Sequence, residues 1–271
     1  MPGAEAELYA DLDLLAATAR AAGEVALHFF RRDPTVWRKS GGSPVSEADL
    51  AVDRLLHERL MAARPGYGWL SEETADGPER LAKSRIFVID PIDGTRAFLR
   101  GDEEWTISLA IVEAGRPVTA ALLQPTTGRL MTAVRGHGAH CEGTRLGVSG
   151  HRALSGAHLG APLKYLERKE IAGLDFAERR IVPSLALRFA EVADGRLDVA
   201  YGTGNAHDWD LAAADLLVHE AGGRLTVPSG EPLLYNRPGP SHPPLVAATP
   251  GLFEEARRLL ERLIDRGRDE G

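Results

Sequence analysis

The stretch FVIDPIDGTRAF, residues 87–98, constrains the fold and the chemistry of this chain more than any other segment. Its apolar start at 87–89 predicts a buried strand, yet the carboxylates of Asp90 and Asp93 follow at once. Buried carboxylates are costly unless hydrogen bonds or a positive charge compensate them. A fold that accepts this sequence must therefore bring a compensating group to the end of that strand.

A strand end of this composition suits a hard cation. Mg²⁺ prefers oxygen ligands, and Asp90 and Asp93 offer two carboxylates with backbone carbonyls between them. Pro91 would stiffen the turn, and the backbone amides of Gly94 and Thr95 could hold a phosphate if a short helix begins there. The alternative is an ordinary Asp-rich turn that caps a helix, because DPxDG is typical of turns.

Further acidic residues stand near the predicted ends of other elements. They are Asp49 in the first turn of a helix that Ser46 could cap, Glu72 and Glu73 after a short apolar segment, and Asp208 and Asp210 on either side of Trp209. Singly, each acid is typical of an element end and needs no function. Together they form the donor set of a site for several metal ions, although their spacing does not show that they converge.

Composition excludes several classes of protein. The chain has 271 residues, 26% of them charged, and a formal net charge of −7, which is a poor match to a general nucleic-acid-binding surface. An acidic protein can still act on an anionic substrate if metal ions invert the local field. The single cysteine, Cys141, excludes an internal disulfide framework and a cysteine-based zinc site. The first residues do not resemble a signal peptide, and no apolar run reaches the length of about 18 residues that a membrane span needs. We therefore expect a cytoplasmic protein without membrane contact.

The periodicity of the chain predicts an α+β fold. Helices are predicted at 8–31, after Ser46, and at 184–193, 210–223 and 251–265, the helix at 210 with an N-cap aspartate. Strands are predicted at 86–89, 106–114, 117–125, 129–143, 196–202 and 245–249, with a hairpin turn at Gly115-Arg116 and another hairpin at 224–236. Residues 37–45 read as a loop, and a second segment begins near residue 150.

Four motifs resemble the signatures of the inositol monophosphatase superfamily. They are GSPVSEAD (42–49), SEE (71–73), DPIDGT (90–95) and WDLAA (209–213), in the family's order and spread over a resemblance from about 8 to 265. The resemblance implies a layered α-β-α-β-α sandwich with an N-terminal part (1–150), a C-terminal part (151–271) and the site at their junction. It also implies a lithium-sensitive phosphatase with two or three Mg²⁺ ions, a small phosphorylated substrate, no nucleic-acid partner and a homodimeric state.

The resemblance also assigns roles to particular residues. The implied metal ligands are Glu72, Asp90, the backbone carbonyl of Ile92, Asp93 and Asp210, with Glu73 a less certain neighbour. Asp49 matches a residue that acts through a more weakly held metal and its water, and Thr95 matches the hydroxyl that orients the attacking water. Asp93, Gly94, Thr95 and Asp210 match substrate or phosphate contacts, and Lys39 lies where the family has a mobile basic loop.

The substrate is less narrowly defined than the reaction. KSGGSPVSEAD, GWLSEE and DGTRAF look most similar to the bacterial 3'(2'),5'-bisphosphate nucleotidases, with Arg96 in place of their usual lysine. A second usual lysine is replaced by Ala186, and Arg188 could contact a second phosphate instead or be a surface charge. His207 is a candidate substrate neighbour. Inositol-1-monophosphatase and histidinol-phosphate phosphatase remain alternatives, and so does a regulatory binding protein.

Overall fold

The N-terminal elements cover one face of a large sheet. The structure is a computed structural model that describes residues 2–39 and 42–269, and it begins with α1 (Pro2–Phe29), β1 (Val36–Arg38), β2 (Pro44–Ser46) and α2 (Glu47–Ala63). Ser46 caps α2, and its backbone N–H donates to Asp49 in return, which confirms the predicted helix start. The loop predicted at 37–45 is partly wrong, because β1 and β2 pair as a short antiparallel ribbon. Residues 40 and 41 of that loop lie outside the described part of the chain.

The large sheet has seven strands that follow one another in sequence order. They are β3 (Gly68–Ser71), β4 (Arg85–Asp93), β5 (Thr106–Glu113), β6 (Arg116–Gln124), β7 (Arg129–Val134), β8 (Gly138–Cys141) and β9 (Thr144–Arg145). A 3₁₀ helix, Pro78–Ala82, links β3 to β4. The hairpin predicted between β5 and β6 is confirmed, and its two turn residues, Ala114 and Gly115, both have positive φ. Such a turn matches the twist of the strands that it joins.

Strand β4 does not stop where the sequence predicts a turn. It continues through Asp93, and its pairing with β5 shifts between Asp90, which faces Ser108, and Asp93, which faces Thr106. Three residue steps on β4 therefore oppose two on β5, which is the geometry of a β-bulge. The bulge keeps the backbone anchored to the sheet while it changes the direction of the carboxylates. The short helix α3 (Thr95–Arg100) begins immediately afterwards.

The C-terminal part of the chain forms a second, smaller sheet. Its elements are β10 (His158–Gly160), α4 (Leu163–Leu166), α5 (Lys169–Ala172), β11 (Glu178–Arg180), α6 (Leu185–Ala193), β12 (Val199–Gly202), β13 (Ala206–His207), α7 (Asp208–Glu220), β14 (Arg224–Thr226), β15 (Ser241–His242), β16 (Leu245–Ala248) and α8 (Phe253–Asp269). The sheet order is β11-β10-β12-β16-β14, and β13 pairs with β15. The hairpin predicted at 224–236 is confirmed only as a tight turn with one antiparallel bridge between Thr226 and Pro232, because β14 pairs with β16 instead.

Alternation along the strands sorts these elements into layers. Phe87 and Ile89 of β4 pack against α1 and α2, whereas Ile86 and Val88 face α6 and α7 on the other side. The far side of α6 and α7 covers one face of the small sheet, and α8 covers its other face. Because successive strand residues point to opposite faces, each sheet separates two cores. This order of layers confirms the predicted α-β-α-β-α sandwich.

Two further observations concern the connection between the two sheets and the character of the helices. The large sheet ends at Arg145 and the small sheet begins at His158, so the expected division near residue 150 falls in the connection between the two sheets. Within the described ranges, no helix has both the length and the apolar character that a membrane crossing requires.

Candidate active site

Three aspartates from two distant elements meet between the layers. Asp90 and Asp93 come from the bulged end of β4, and Asp210 comes from the first turn of α7, which packs on the same sheet. One carboxylate oxygen of each lies within 4.8 Å of the others. Asp90 and Asp93 expose only 1% and 7% of their surface. The structure therefore brings together acids whose convergence the spacing left open.

Helix α6 holds Asp93 in place. The hydroxyl of Ser184 donates to Oδ2 of Asp93 over 2.5 Å, and the backbone N–H of Ala186 donates to the same oxygen over 2.7 Å. Ser184 is also the N-cap of α6, since its Oγ accepts from the backbone N–H of Leu187. The positive end of a helix dipole favours a carboxylate at this place. Oδ1 of Asp93 takes no part in these two hydrogen bonds.

Replacement of Ser184 by alanine should destabilise the protein. Ser184→Ala removes the cap of α6 and one hydrogen bond to the buried carboxylate of Asp93, and an N-cap serine contributes about 0.5–2 kcal/mol. We expect a loss of that size in the free energy of unfolding from urea titrations. Ser241→Ala, at an exposed serine, is the control and should leave the midpoint unchanged. Equal midpoints for both variants would contradict this role of Ser184.

Asp210 is oriented by its own helix. Helix α7 begins at Asp208 with His207 as the N-cap, so the prediction of an N-cap aspartate at 210 is wrong. Asp210 is instead the third residue of the helix, and its Oδ2 accepts the backbone N–H of His207 over 2.7 Å. A carboxylate at this position caps the free N–H groups of the first turn. This bond fixes the carboxylate of Asp210, one oxygen of which lies within 4.8 Å of those of Asp90 and Asp93.

Asp49 and Thr95 form a second polar pair beside the aspartates. Asp49 accepts the backbone N–H of Ser46 over 2.7 Å, and its Oδ1 lies 3.2 Å from the hydroxyl of Thr95. The same hydroxyl lies 3.1 Å from the carbonyl oxygen of Ile92. A hydroxyl has one proton to donate and two lone pairs to accept with. Thr95 can thus donate to one of these oxygens and still accept a hydrogen bond from a molecule in the cavity.

Lys39 links the glutamates to the site. Its Nζ lies 2.8 Å from Oε1 of Glu72 and 2.8 Å from Oε1 of Glu73. Lys39 is the residue that the family resemblance assigns to a mobile basic loop. Glu72 retains 22% of its side-chain exposure, whereas Glu73 retains 3%. Glu72 therefore faces the cavity, and Glu73 lies behind it.

These groups open onto a cavity of about 560 Å³. Its wall includes eight of the residues named from the sequence, namely Glu72, Asp90, Ile92, Asp93, Gly94, Thr95, Arg96 and Asp210. Gly94 adopts φ of +94°, and a Cβ there would lie 3.3 Å from Glu104 O, Ser184 Cβ and Trp105 Cβ. Both the backbone conformation and the close packing require glycine at this position.

Burial and mutual repulsion dominate the electrostatics of the cavity. Burial raises the pKa of Asp90 well above its ordinary value, and Glu72 and Asp93 raise it further by repulsion. Burial likewise raises the pKa of Asp210, raises that of Asp93 to about 6 and raises that of Glu73 to about 7. For Lys39, burial alone would lower the pKa, but Glu72 and Glu73 together raise it. The cluster is thus short of positive charge.

The acids fit a hard divalent cation. Oδ2 of Asp90 is buried and receives no hydrogen bond from any described residue. A buried carboxylate oxygen without a hydrogen-bond partner is costly. The possible metal-ligand atoms of this cluster are all carboxylate oxygens. Within the described ranges no cysteine or histidine belongs to this group of possible ligands, which consists of Asp90, Asp93 and Asp210. This donor set is typical of magnesium or calcium rather than zinc.

Comparison with known proteins agrees with this geometry. Residues 10–265 match the model of the inositol monophosphatase family. The chain belongs to that family. Inositol monophosphatase family members are metal-dependent phosphatases that act on small phosphorylated substrates, so this chain is a phosphoric monoester hydrolase.

Relatives in the inositol monophosphatase family carry different names. The chain is 37% identical to an inositol-1-monophosphatase of Rhizobium meliloti, over 69% of this chain and 73% of that protein. It is 32% identical to the 3'(2'),5'-bisphosphate nucleotidase CysQ of Aggregatibacter actinomycetemcomitans, over 81% of this chain and 85% of the relative. A Streptomyces griseus protein named glucose-1-phosphate thymidylyltransferase is 38% identical, over 79% and 85%. These names agree on no single substrate.

The fold of this chain is shared with a solved family structure. An IMPase from Thermotoga maritima superposes with a TM-score of 0.82 at 26% identity, covering 96% of this chain and 98% of that one. This likeness confirms the layered α+β fold over nearly the whole chain.

Two residues that the sequence suggested as substrate neighbours, Arg188 for a second phosphate and His207, lie outside the cavity wall. Arg188 is 7% exposed and donates to the carbonyl oxygens of Val182 and Tyr201, both at 3.0 Å, so its donors are used inside the protein. His207 stacks on Trp209 at 4.6 Å between ring centroids, and neither Arg188 nor His207 lines the cavity. Arg188 is therefore not among the proposed substrate contacts. The role of His207 is to hold Asp210 through its backbone N–H.

Several residues that line the cavity or support it were not predicted as site residues. Ser184 was predicted to begin a helix but not to hold Asp93, and Arg100 was not singled out. Ile181, Pro183 and Asn205 also line the cavity. Asn205 has positive φ in a Gly-rich stretch directly after β12, and a polar residue in such a turn at a strand end was the available signal.

Proposed function

We propose that this phosphatase hydrolyses its substrate with two or three bound Mg²⁺ ions. The observation that carries the proposal is the convergence of Asp90, Asp93 and Asp210 around a buried Asp90 oxygen without a protein partner. Glu72 and the backbone carbonyl of Ile92, which lie on the same wall, complete the proposed ligand set. Bound Mg²⁺ would supply charge neutralisation for the phosphate and leaving group and a lowered pKa for a coordinated water.

The chain's own residues orient the reactants in this proposal. Oδ1 of Asp49 accepts a hydrogen bond from the Thr95 hydroxyl, and a lone pair of Thr95 Oγ1 accepts a hydrogen bond from the attacking water. Asp49 is held by the backbone N–H of Ser46, so this pair does not depend on solvent for its position. The backbone N–H groups of Gly94 and Thr95 stand on the wall where the phosphate oxygens would bind. Holding the water and the phosphate in the reactive geometry lowers the entropy cost of reaching the transition state.

For the substrate, we propose a 3'(2'),5'-bisphosphate nucleotidase that converts adenosine 3',5'-bisphosphate to AMP. Arg96 lies on the cavity wall next to Thr95, is exposed, and forms no ion pair with another described residue. Arg100 stands one helical turn further along the same wall and pairs with Asp102 at 2.7 Å. A guanidinium beside the phosphate-facing turn can bind a second phosphate with two hydrogen bonds. The similarity to CysQ supports the same substrate class.

Inositol-1-monophosphatase is the second candidate. It is favoured by the identity of 37% to the Rhizobium meliloti protein and by the absence of a basic residue at Ala186, where a bisphosphate nucleotidase usually has lysine. Histidinol phosphate is a third possible substrate, since a 35% identical relative from Mycobacterium tuberculosis is named histidinol-phosphatase. Homodimer formation, lithium sensitivity and a cytoplasmic location remain predictions from the family resemblance.

Comparison of kcat/KM for three substrates tests the assignment. We expect purified protein with Mg²⁺ to prefer adenosine 3',5'-bisphosphate over inositol 1-phosphate and histidinol phosphate by at least about tenfold, or about 1.4 kcal/mol. Arg96→Gln should raise KM for the bisphosphate and leave the two monophosphates nearly unchanged. Arg59→Gln, at an exposed arginine of α2, removes the same charge away from the cavity and is the matched control.

The outcomes separate the candidates. A preference for inositol 1-phosphate or histidinol phosphate, or equal effects of Arg96→Gln on all three, would overturn the nucleotidase assignment but not the phosphatase one. No phosphate release from any of the three would instead favour a regulatory binding role for a protein of this family.

A further inference from the structure

A second cavity lies at the other end of α7 from the acidic site. It has a volume of about 360 Å³, within the range of small-molecule sites, and Arg116, Arg135 and His219 are on its wall. His219 is in the last turn of α7, whereas Asp210 is in the first, so the two positions are roughly 14 Å apart at 1.5 Å per residue. The wall of this cavity carries two guanidinium groups together with the carboxylates of Asp215 and Glu220.

The two arginines are fixed by backbone carbonyls rather than by carboxylates. Nη1 of Arg116 donates to the carbonyl oxygen of Leu233 over 2.9 Å, and Nη2 of Arg135 donates to the carbonyl oxygen of Pro117. Neither guanidinium forms an ion pair with an acid in the described ranges 2–39 and 42–269. Each guanidinium carries five N–H donors, so several remain for a molecule in the cavity.

The two arginines line the same cavity, so their positive charges repel each other. Burial lowers the pKa of Arg135 first, and the positive charge of Arg116 lowers it further, against the opposing effects of Glu113, Glu220 and Asp215. These acids offset the repulsion between the two guanidinium groups only in part, because neither arginine forms an ion pair with a carboxylate of the described residues. An anion placed between them would remove that repulsion.

The acids on the same wall accept hydrogen bonds from protein donors through three of their four carboxylate oxygens. Glu220 accepts the backbone N–H groups of Gly136 and Gly138 over 2.7 and 2.8 Å. Oδ2 of Asp215 accepts the hydroxyl of Tyr235 over 3.0 Å, whereas its buried Oδ1 receives no hydrogen bond from a described residue and lies 2.9 Å from Nδ1 of His219. These carboxylates are thereby partly compensated, and the guanidinium donors remain available to a ligand.

We propose that this cavity is a second anion-binding site, in which Arg116 and Arg135 bind a small oxyanion such as inorganic phosphate or a phosphate group. Planar guanidinium groups bind phosphate and sulfate oxygens in pairs of parallel hydrogen bonds. The backbone anchors hold both groups before the ligand arrives, which lowers the entropy cost of binding. The site is separate from the acidic cavity and does not depend on bound Mg²⁺.

Phosphate titration of the full-length protein in EDTA tests this proposal. Without metal the clustered aspartates repel phosphate, so calorimetry should report the arginine site alone. We expect one site with Kd of about 1 mM or tighter, equivalent to about −4 kcal/mol. Arg116→Gln and Arg135→Gln should each weaken binding at least about tenfold, since each removes a charged pair of donors. Arg20→Gln, at an arginine paired with Glu142 on the surface, should leave Kd unchanged.

Two further variants keep the test decisive. Arg135→Lys keeps the charge but loses the planar donor pair, so we expect weaker binding than wild type and tighter binding than Arg135→Gln, even if the glutamine variant is unstable. Asp93→Asn changes only the acidic site and should bind phosphate as wild type does. The proposal is overturned if wild-type protein binds no phosphate, if the arginine variants bind equally well, or if Asp93→Asn alone changes Kd.

Discussion

Asp93→Asn is expected to lower kcat/KM by roughly 10³-fold or more, equivalent to about 4 kcal/mol of transition-state stabilisation. The new amide oxygen can still accept from the Ser184 hydroxyl and the Ala186 N–H, which lie 2.5 and 2.7 Å from Oδ2 in the native protein. The NH₂ group then faces Asp90 and Asp210, so a carboxylate ligand is lost although the backbone is held as before. The fold should therefore survive the change.

Phosphate release at saturating Mg²⁺ measures this effect, and unfolding in EDTA measures the stability of the variant. Without metal, Asp93→Asn should be at least as stable as wild type, because it removes one charge from a group of mutually repelling acids. The control is Asp13→Asn, which changes an exposed acid of α1 and should alter neither quantity. Full activity in Asp93→Asn would exclude Asp93 from the metal ligands.

Removal of Mg²⁺ is expected to destabilise the protein strongly at pH 8. A ligand that binds only the folded state stabilises it by about 2.7 kcal/mol per site at a hundredfold excess over Kd. We expect a difference of at least that size between the free energies of unfolding in Mg²⁺ and in EDTA, from urea titrations. Asp93→Asn, with one ligand fewer, should show a smaller difference. An identical midpoint in Mg²⁺ and EDTA would contradict the metal site.

The stability of the metal-free protein should also depend on pH with a defined sign. Burial raises the pKa of Asp93 to about 6 and that of Glu73 to about 7 in the folded state, above the unfolded values of about 3.9 and 4.3. Between these limits the folded state binds more protons than the unfolded state, so stability falls as pH rises from about 4 to about 7. Urea midpoints in EDTA across this range provide the measurement, and midpoints that rise with pH would contradict it.

Local sequence predicted the elements better than their ends. The strand at 86–89, the hairpin at Gly115 and the cap at Ser46 were confirmed, because each depends on periodicity or on neighbouring residues. The end of β4 was not, because pairing with β5 carries the strand through a bulge that residues 90–93 alone read as a turn. Likewise, α7 begins two residues before the predicted cap because β13 pairs with β15 and delivers His207 to the cap position.

Hydrogen bonds between residues far apart in the sequence could not be predicted from the spacing of motifs. Nothing in the sequence near Ser184 indicates that its hydroxyl would hold Asp93, and nothing near Arg188 shows that backbone carbonyls would use its donors. Both arrangements depend on how α6 packs between the two sheets. Hydrogen bonds of this kind are set by the approach of whole elements, which leaves no local pattern.

By itself the sequence determined the α+β pattern of elements and the acids that could bind a metal, because periodicity and turn chemistry are local properties. Its four motifs added the resemblance to the family and, through that resemblance, the layered fold. Only the tertiary structure decided that Asp210 meets Asp90 and Asp93, that α6 anchors Asp93, and that Arg96 rather than Arg188 reaches the cavity. The physical reason is that helix packing on the sheet sets which element ends meet, and burial then decides which charged groups find partners inside the protein.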